Sequence, residues 1–103
     1  MADFMKMLQQ AQELQGRLQK VEQELAQQTV KASSGGGMVT VEANGHGAVR
    51  SIKIDPSVVN AADVEMLEDL LLVAVSEVQK KAQEAAQAEM GKLTGGLPFK
   101  LPF

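Results

Sequence analysis

The sequence predicts an α+β fold: a long N-terminal helix, a three-stranded antiparallel sheet and a long C-terminal helix. Three observations carry this expectation. Apolar residues recur at alternating spacings of three and four from Phe4 to Leu25, they alternate one-in-two across Val39, Val41 and Ala43, and helical spacing returns from Leu67 onward. A chain of 103 residues has room for one small domain, 1–103, and none for a second.

The first segment, about 3–28, reads as one amphipathic helix. Phe4, Met7, Ala11, Leu14, Leu18, Val21 and Leu25 stay on one seam. Asp3 can cap its start. Glu13 and Arg17 form an i, i+4 pair in the favourable order, and Lys20 with Glu24 has the reverse order. Eight glutamines between Gln9 and Gln28 make the outer face polar but nearly uncharged. A helix of ~25 residues is roughly 37 Å long, longer than a small sheet can cover. Part of the seam therefore needs another partner.

The second segment, about 29–56, reads as three antiparallel strands. Ser33-Ser34-Gly35-Gly36-Gly37 separates a short first strand from a second at Met38 to Ala43. Asn44-Gly45 signals a hairpin, since a type I′ turn needs positive φ at both central residues. Ile52 and Ile54 are in phase with each other and Val49 is not. A bulge near Arg50-Ser51 would turn all three inward. Asp55-Pro56 ends the sheet.

The third segment runs helical over about 61–92, with Asn60 or Asp63 as cap. Glu65, Glu68 and Asp69 suit the positive end of its dipole. Leu67, Leu70, Leu71, Ala74, Val75, Val78, Ala82 and Ala85 form a stripe that is broadest around 70–75, as though covered from two sides. At ~30 residues this helix would span roughly 45 Å and overhang as the first one does. Gly91 and Gly95 are candidate terminators. The tail, 93–103, reads as extended and apolar, and should dock on the body or on a second subunit.

Composition narrows the function by exclusion. With 10 Lys and Arg against 13 Asp and Glu, the net charge of -3 rules out a histone-like basic binder. The absence of Cys removes zinc fingers, iron–sulfur clusters and thiol nucleophiles, and suits a reducing compartment. No Trp or Tyr and only Phe4, Phe99 and Phe103 leave little surface for stacking bases. No apolar run approaches the ~18 residues of a membrane span, and the N-terminus lacks the pattern of a signal peptide. A cytoplasmic protein with no membrane partner is expected.

Chemistry-bearing motifs are scarce. His46, the sole histidine, reads as an exposed turn residue. Ser34-Gly35-Gly36-Gly37 lacks the Lys-Ser/Thr ending of a phosphate loop and precedes a strand, so a hairpin is the better reading. Glu65, Glu68 and Asp69 crowd a helix start without a calcium-loop pattern. Met1, Met5 and Met7 offer a soft surface for a protein partner or simply fill an interface. The expectation is no enzyme, no cofactor, no metal and no catalytic residue.

Basic residues form two sets. Lys6, Arg17 and Lys20 fall within roughly 60° of the first helix wheel, with Glu13 among them. Lys80, Lys81 and Lys92 lie toward the far end of the second helix, diluted by Glu84 and Glu89. Taken alone, both sets read more readily as solvated helix faces than as DNA contacts. Charge is nevertheless segregated: Asp55, Asp63, Glu65, Glu68, Asp69 and Glu77 give -6 between Ile54 and Gln79, where no Lys or Arg occurs. The remainder holds all 10 basic residues against 7 acids, a net of +3.

The run Gly35-Gly36-Gly37-Met38-Val39-Thr40-Val41-x-Ala43-Asn44-Gly45-x-Gly47-x-Val49-x-Ser51-Ile52-Lys53-Ile54-Asp55-Pro56 resembles the core of the YbaB/EbfC family of nucleoid-associated proteins. Asp63-Val64-Glu65-Met66-Leu67-Glu68-Asp69-Leu70 and Met90-Gly91-x-Leu93-Thr94-x-Gly96-Leu97 are similar to its later segments. The likeness covers almost the whole chain in order. One departure is a tail shorter than the family's Pro-Pro-Gly-containing form.

The resemblance implies a tweezer-like homodimer of the cytoplasm and nucleoid, which binds DNA, alters its conformation and influences nucleoid organisation and gene expression. It implies a subunit junction at Leu67, Leu70, Leu71, Ala74, Val75 and Val78, and it favours DNA contact over mere solvation for Lys6, Arg17, Lys20, Lys80, Lys81 and Lys92. Another DNA-processing protein is a further partner to consider. The rival reading is a dimeric protein-interaction adaptor without significant DNA binding. Few aromatics and no evident groove-reading helix point to phosphate and shape contacts with little sequence specificity.

Overall fold

The computed structural model describes residues 2–95. Its elements, in order, are helix α1 (Ala2–Gln27), strands β1 (Thr29–Ser34), β2 (Val39–Asn44) and β3 (Val49–Ile54), and helix α2 (Val64–Gly95). Short 3₁₀ turns at Gly35–Gly37 and Pro56–Val58 join them. The strands form one antiparallel sheet in the order β1-β2-β3. This is the α+β architecture expected.

The core lies between α2 and the first two strands. Val39 and Val41 of β2 and Ala74 and Val78 of α2 are fully buried, joined by Ala32, Ala43 and Val58. Strand alternation sends Val39, Val41 and Ala43 to one face, and the small Ala74 lets the helix axis come close. Ser34 fixes the depth of that contact, its Oγ donating to the Leu70 carbonyl at 2.6 Å.

The β1–β2 connection is built from left-handed glycines, Gly35 at φ +61°, Gly36 at +67° and Gly37 at +96°. A Cβ on Gly35 would lie 2.8 Å from Leu70 Cδ2, whereas one on Gly36 would meet nothing within 4 Å.

The expected bulge is present. Ser51 pairs with Glu42 and Val49 with Ala43, leaving Arg50 as the extra residue. Directly opposed residues share a face, so Val49, Ile52 and Ile54 do fall on the inner face with Ala43, Val41 and Val39. They are not covered there.

The second hairpin differs from expectation in its turn. Among the described residues, left-handed φ is confined to Gly35, Gly36, Gly37 and Gly47, which excludes a type I′ turn centred on Asn44-Gly45. Asn44 instead ends β2, and Gly47 N–H donates to its carbonyl at 3.0 Å while Asn44 N–H donates to Ala48. This is a type I turn followed by a left-handed glycine. The Asn44 side chain holds it, accepting from the backbone N–H groups of His46 and Ala48. Gly45 is there for a different reason: its Cβ would lie 2.8 Å from both the carbonyl oxygen and Cδ2 of Leu25.

Asp63, not Asn60, caps α2, accepting from Met66 N–H at 3.2 Å; Asn60 caps the preceding turn through Ala62. The helix passes through Gly91, which does not terminate it, and reaches Gly95, so residues 93–95, expected to open an extended tail, are helical. Buried Leu93 supplies a packing reason for the last turns to persist. The tail beyond, including its expected docking, lies outside the described residues.

Both helices outrun the sheet. α1 has 26 residues and α2 has 32, about 39 and 48 Å at 1.5 Å per residue. Only Val21 and Leu25 of the α1 seam are buried and Leu14 and Leu18 half-buried; Phe4, Met7 and Ala11 are exposed. The protomer consequently measures 73 × 21 × 16 Å.

Thermal or urea denaturation should separate the two glycine roles. Gly35→Ala should cost about 2 kcal/mol or more, combining backbone strain with the Leu70 clash, and Gly36→Ala about 1 kcal/mol from strain alone. Gly16, inside α1 with open space around it, should behave in the opposite sense, Gly16→Ala stabilising by up to ~1 kcal/mol.

Asp55 gives an acid-side test. The backbone N–H of Ser57, 2.8 Å away, is the main reason its carboxyl titrates below the usual 3.8. A lowered carboxylate pKa stabilises the fold above the unfolded value, and that contribution is lost as pH falls through the folded one. Asp55→Asn should therefore lose less stability than the parent between neutral pH and a pH below 3.8, read from urea midpoints.

Candidate nucleic-acid interface

The expected basic residues separate into three situations. Lys6, Arg17 and Lys20 are exposed on α1, and no hydrogen bond or ion pair among the described residues engages them. They extend over 14 residues, about 21 Å of helix. Lys80 is similarly exposed on α2. Lys81 and Lys92 are partly committed: Lys81 Nζ donates to the Lys31 carbonyl at 2.9 Å, and Lys92 Nζ lies 3.4 Å from Glu89 Oε1. The first of these contacts brings Lys81 to the outer edge of β1, level with the sheet and well short of Lys92. The six residues thus form an α1 set and a dispersed α2 set, not one patch.

Strand phase adds two lysines that helix wheels do not reveal. Lys31 and Lys53 fall on the outer face of the sheet, opposite the α2 side, with Thr29, Ser33, Thr40 and Ser51 around them. Glu42 stands directly across from Lys31, its Oε1 3.6 Å from Nζ. Such an exposed pair is worth at most about 1 kcal/mol and leaves Lys31 accessible. Alternation in the sequence carried this signal.

Arg50, the bulge residue, is used differently. Its Nη2 donates to the Ala26 carbonyl at 2.8 Å, in the last turn of α1. His46 at the hairpin tip lies beside it, exposed as expected, with Nε2 3.0 Å from the Glu22 carbonyl. A carbonyl only accepts, so the ring nitrogen facing it carries the hydrogen.

The apolar surface also divides. Ala74 and Val78 have no accessible surface left and belong to the protomer's own core, while Leu67, Leu70, Leu71 and Val75 pack against its rim. Of the six residues assigned to a subunit junction, Ala74 and Val78 are thus spent on the chain's own sheet and the other four keep part of their surface. Beside the sheet, the inner face of β3 stays exposed, with Val49 at 40%, Ile52 at 47% and Ile54 at 37%, together with Leu72 at 67%; Val73, at 52%, is exposed elsewhere on α2. Lys81 marks the β1 flank of α2, and Ala82 against Gly47 marks the β3 flank. At 100° per residue Leu71, Leu72 and Val75 fall on that second flank. They border the open half of the sheet.

Among the described residues no group of three or more His, Asp or Glu is placed to hold a metal. No helix among them is long and apolar enough to cross a membrane.

Residues 1–97 match the sequence model of the YbaB/EbfC DNA-binding family. The chain belongs to this family. A nucleoid-associated protein of Gemmatimonas aurantiaca is 53% identical over 103 residues, covering 98% of this chain and 99% of that one. Another from Chloroflexus aurantiacus is 52% identical over 91 residues, 88% of this chain and 91% of its own. One from Agrobacterium fabrum is 43% identical with both chains fully covered. In structure, an uncharacterized protein from Helicobacter pylori superposes with a TM-score of 0.79 over 87% of this chain and 95% of that one. At 23% identity that likeness speaks to the fold alone. The YbaB/EbfC family is one of DNA-binding proteins and not a known enzyme family.

Proposed function

We propose that this YbaB/EbfC chain is a nucleoid-associated protein that grips duplex DNA as a homodimer, through phosphate contacts made by its helical arms. The observation that carries the reading is the free state of Lys6, Arg17 and Lys20 on an α1 face that no other element covers. Cations already paired would have to give up partners to meet phosphate; these do not. Lys80, Lys81, Lys31 and Lys53 add positive charge on the body, and Lys92 adds one on the overhanging end of α2. Affinity from such contacts arises by counterion release and carries little sequence information. Distortion of the duplex follows if two arms hold it at points fixed by the protein and not by straight B-form geometry, at a cost set by DNA stiffness. Binding of this kind would locate the protein in the nucleoid and let it influence gene expression.

The homodimer in this proposal uses the uncovered half of the sheet. Val49, Ile52, Ile54 and Leu72 form its centre, with Leu71 and Val75 contributing their remaining surface. Covering a large aliphatic side chain contributes roughly 1.5–3 kcal/mol when complete, and two-fold symmetry counts each residue twice. Dimerisation doubles the arms, so one duplex can be held at two places and avidity rises where the spacing fits.

Gel retention over a salt series tests the DNA reading. Binding should weaken steeply as salt rises, and Lys6→Gln, Arg17→Gln and Lys20→Gln combined should flatten the slope of log K against log salt by about 0.9 for each phosphate no longer neutralised. Binding insensitive to salt, or none at low salt by a folded protein, would overturn it. Sedimentation tests the interface: Ile52→Asp or Leu72→Asp should yield a folded monomer, whereas a parent that is monomeric at every concentration would remove the dimer from the proposal.

A further inference from the structure

The β2–β3 hairpin closes the C-terminal end of α1 in a way that DNA binding does not itself require. The last carbonyls of a helix have no partner within it and carry the negative end of its dipole. α1 ends without a basic residue in its last turn. Its terminal carbonyls are taken up instead by the hairpin: Leu25 accepts Gly45 N–H at 2.7 Å and Ala26 accepts Arg50 Nη2 at 2.8 Å. One turn earlier His46 Nε2 lies on Glu22 at 3.0 Å. Three donors of one hairpin meet one helix end. The bulge is what aims Arg50 there, since as the extra residue it has no partner across the β2–β3 ladder. Gly45 has to be glycine for the backbones to come this close.

We infer that this hairpin is a clamp that sets the direction of the α1 arm, and that Arg50 is a positioning residue for DNA binding, not a phosphate contact. The lever is long. Lys6 lies 21 residues from the end of α1, about 31 Å out, so a pivot of ~10° at the clamp moves it by ~5 Å. That exceeds the ~3.4 Å axial spacing of phosphates along a strand. Val21 and Leu25 are buried and Leu14 and Leu18 half-buried, so apolar packing on the body and on α2 holds the helix, but apolar contact by itself has no preferred direction. Hydrogen bonds to the end carbonyls do, and a charged donor at the negative end of the dipole strengthens the one from Arg50.

The inference rests on the DNA-binding reading above, and its test separates the two. The chain has no Cys, so nitroxide labels can be attached cleanly at Gln10→Cys on the arm and Ser33→Cys on the sheet. Doubly labelled protein diluted into unlabelled protein reports the arm-to-body distance without DNA. The parent should give a narrow distribution. Arg50→Gln should broaden it, Arg50→Lys, which keeps a charged donor, should broaden it less, and Gly45→Ala should broaden it from the other side of the contact. Circular dichroism confines the comparison to variants that remain folded. DNA affinity of Arg50→Gln should fall by about fivefold, the worth of one hydrogen bond near 1 kcal/mol.

A narrow distribution in folded Arg50→Gln and Gly45→Ala would overturn the clamp. Broadening with unchanged DNA affinity would overturn its role in binding. A drop in affinity with unaltered distances, and a salt slope lowered by about 0.9, would make Arg50 a phosphate contact instead. Failure of the parent to bind DNA would sink the functional reading while leaving the distance result to be judged separately.

Discussion

Everything else in this protomer follows from where α2 lies: Ala74 and Val78 sit against Val39 and Val41, over β1 and β2 and not over the whole sheet. The Ser34 hydroxyl on the Leu70 carbonyl and the left-handed Gly35 beneath the Leu70 side chain draw the helix toward the β1 side. Lys81 then reaches the Lys31 carbonyl and places a charge on the β1 edge, a common means of discouraging strand addition. The opposite flank receives no such cover. β3 keeps three aliphatic side chains on the core face that α2 leaves exposed, a contiguous apolar patch of the kind that favours association.

Length imposes the second constraint. A six-residue strand spans about 20 Å, less than half of α2 at its ~48 Å. Beyond Ala82, helix α2 has no sheet beneath it, and α1 buries only Val21 and Leu25, with Leu14 and Leu18 half-covered and α2 packed beside it. An arm attached by so few apolar residues would be poorly aimed. The hairpin corrects this by supplying directional bonds at the helix end, with Asn44 making the hairpin itself rigid through two side-chain hydrogen bonds. Rigidity is passed from sheet to turn to arm in that order.

Much of this was legible in the sequence, and the limits are instructive. The bulge at Arg50 could be read because Val49 is out of phase with Ile52 and Ile54, a local signal. The turn beside it could not, because Asn44-Gly45 suits a type I′ turn by propensity and is overruled by tertiary contacts: Asn44 spends its side chain on the loop, and Gly45 meets the Leu25 backbone. Gly91 signals a helix end by composition alone, while the burial of Leu93 acts from outside the segment. The apolar stripe of α2 was legible as a stripe. Which flank serves the protomer's own sheet and which stays open depends on where the helix axis lies, and periodicity carries no information on that. Lys31 and Lys53 escaped a search made on helix wheels, although strand alternation already assigned them to the outer face. Arg50 escaped for a better reason, since nothing local tells a guanidinium that will bond a carbonyl from one that will meet phosphate.

The arrangement of charge acquires a direction once the fold is known. The six acids between Ile54 and Gln79 lie on the turn after β3 and on the sheet-covering half of α2, whose start lies near the Ser34–Val39 end of the sheet. The α1 arm attaches at the opposite end, by the hairpin tip. Across a molecule 73 Å long, with a screening length of about 8 Å at physiological salt, these two regions act independently on a ligand. The acidic end is unfavourable to a duplex; on the α1 arm Lys6, Arg17 and Lys20 are unpaired among the described residues, although Glu13 stands among them. A net charge of -3 is therefore no measure of affinity for a polyanion. On α1 and residues 80–95 six cations stand among six acids, so what a polyanion meets there is set by how individual lysines and arginines are placed and not by a net positive end.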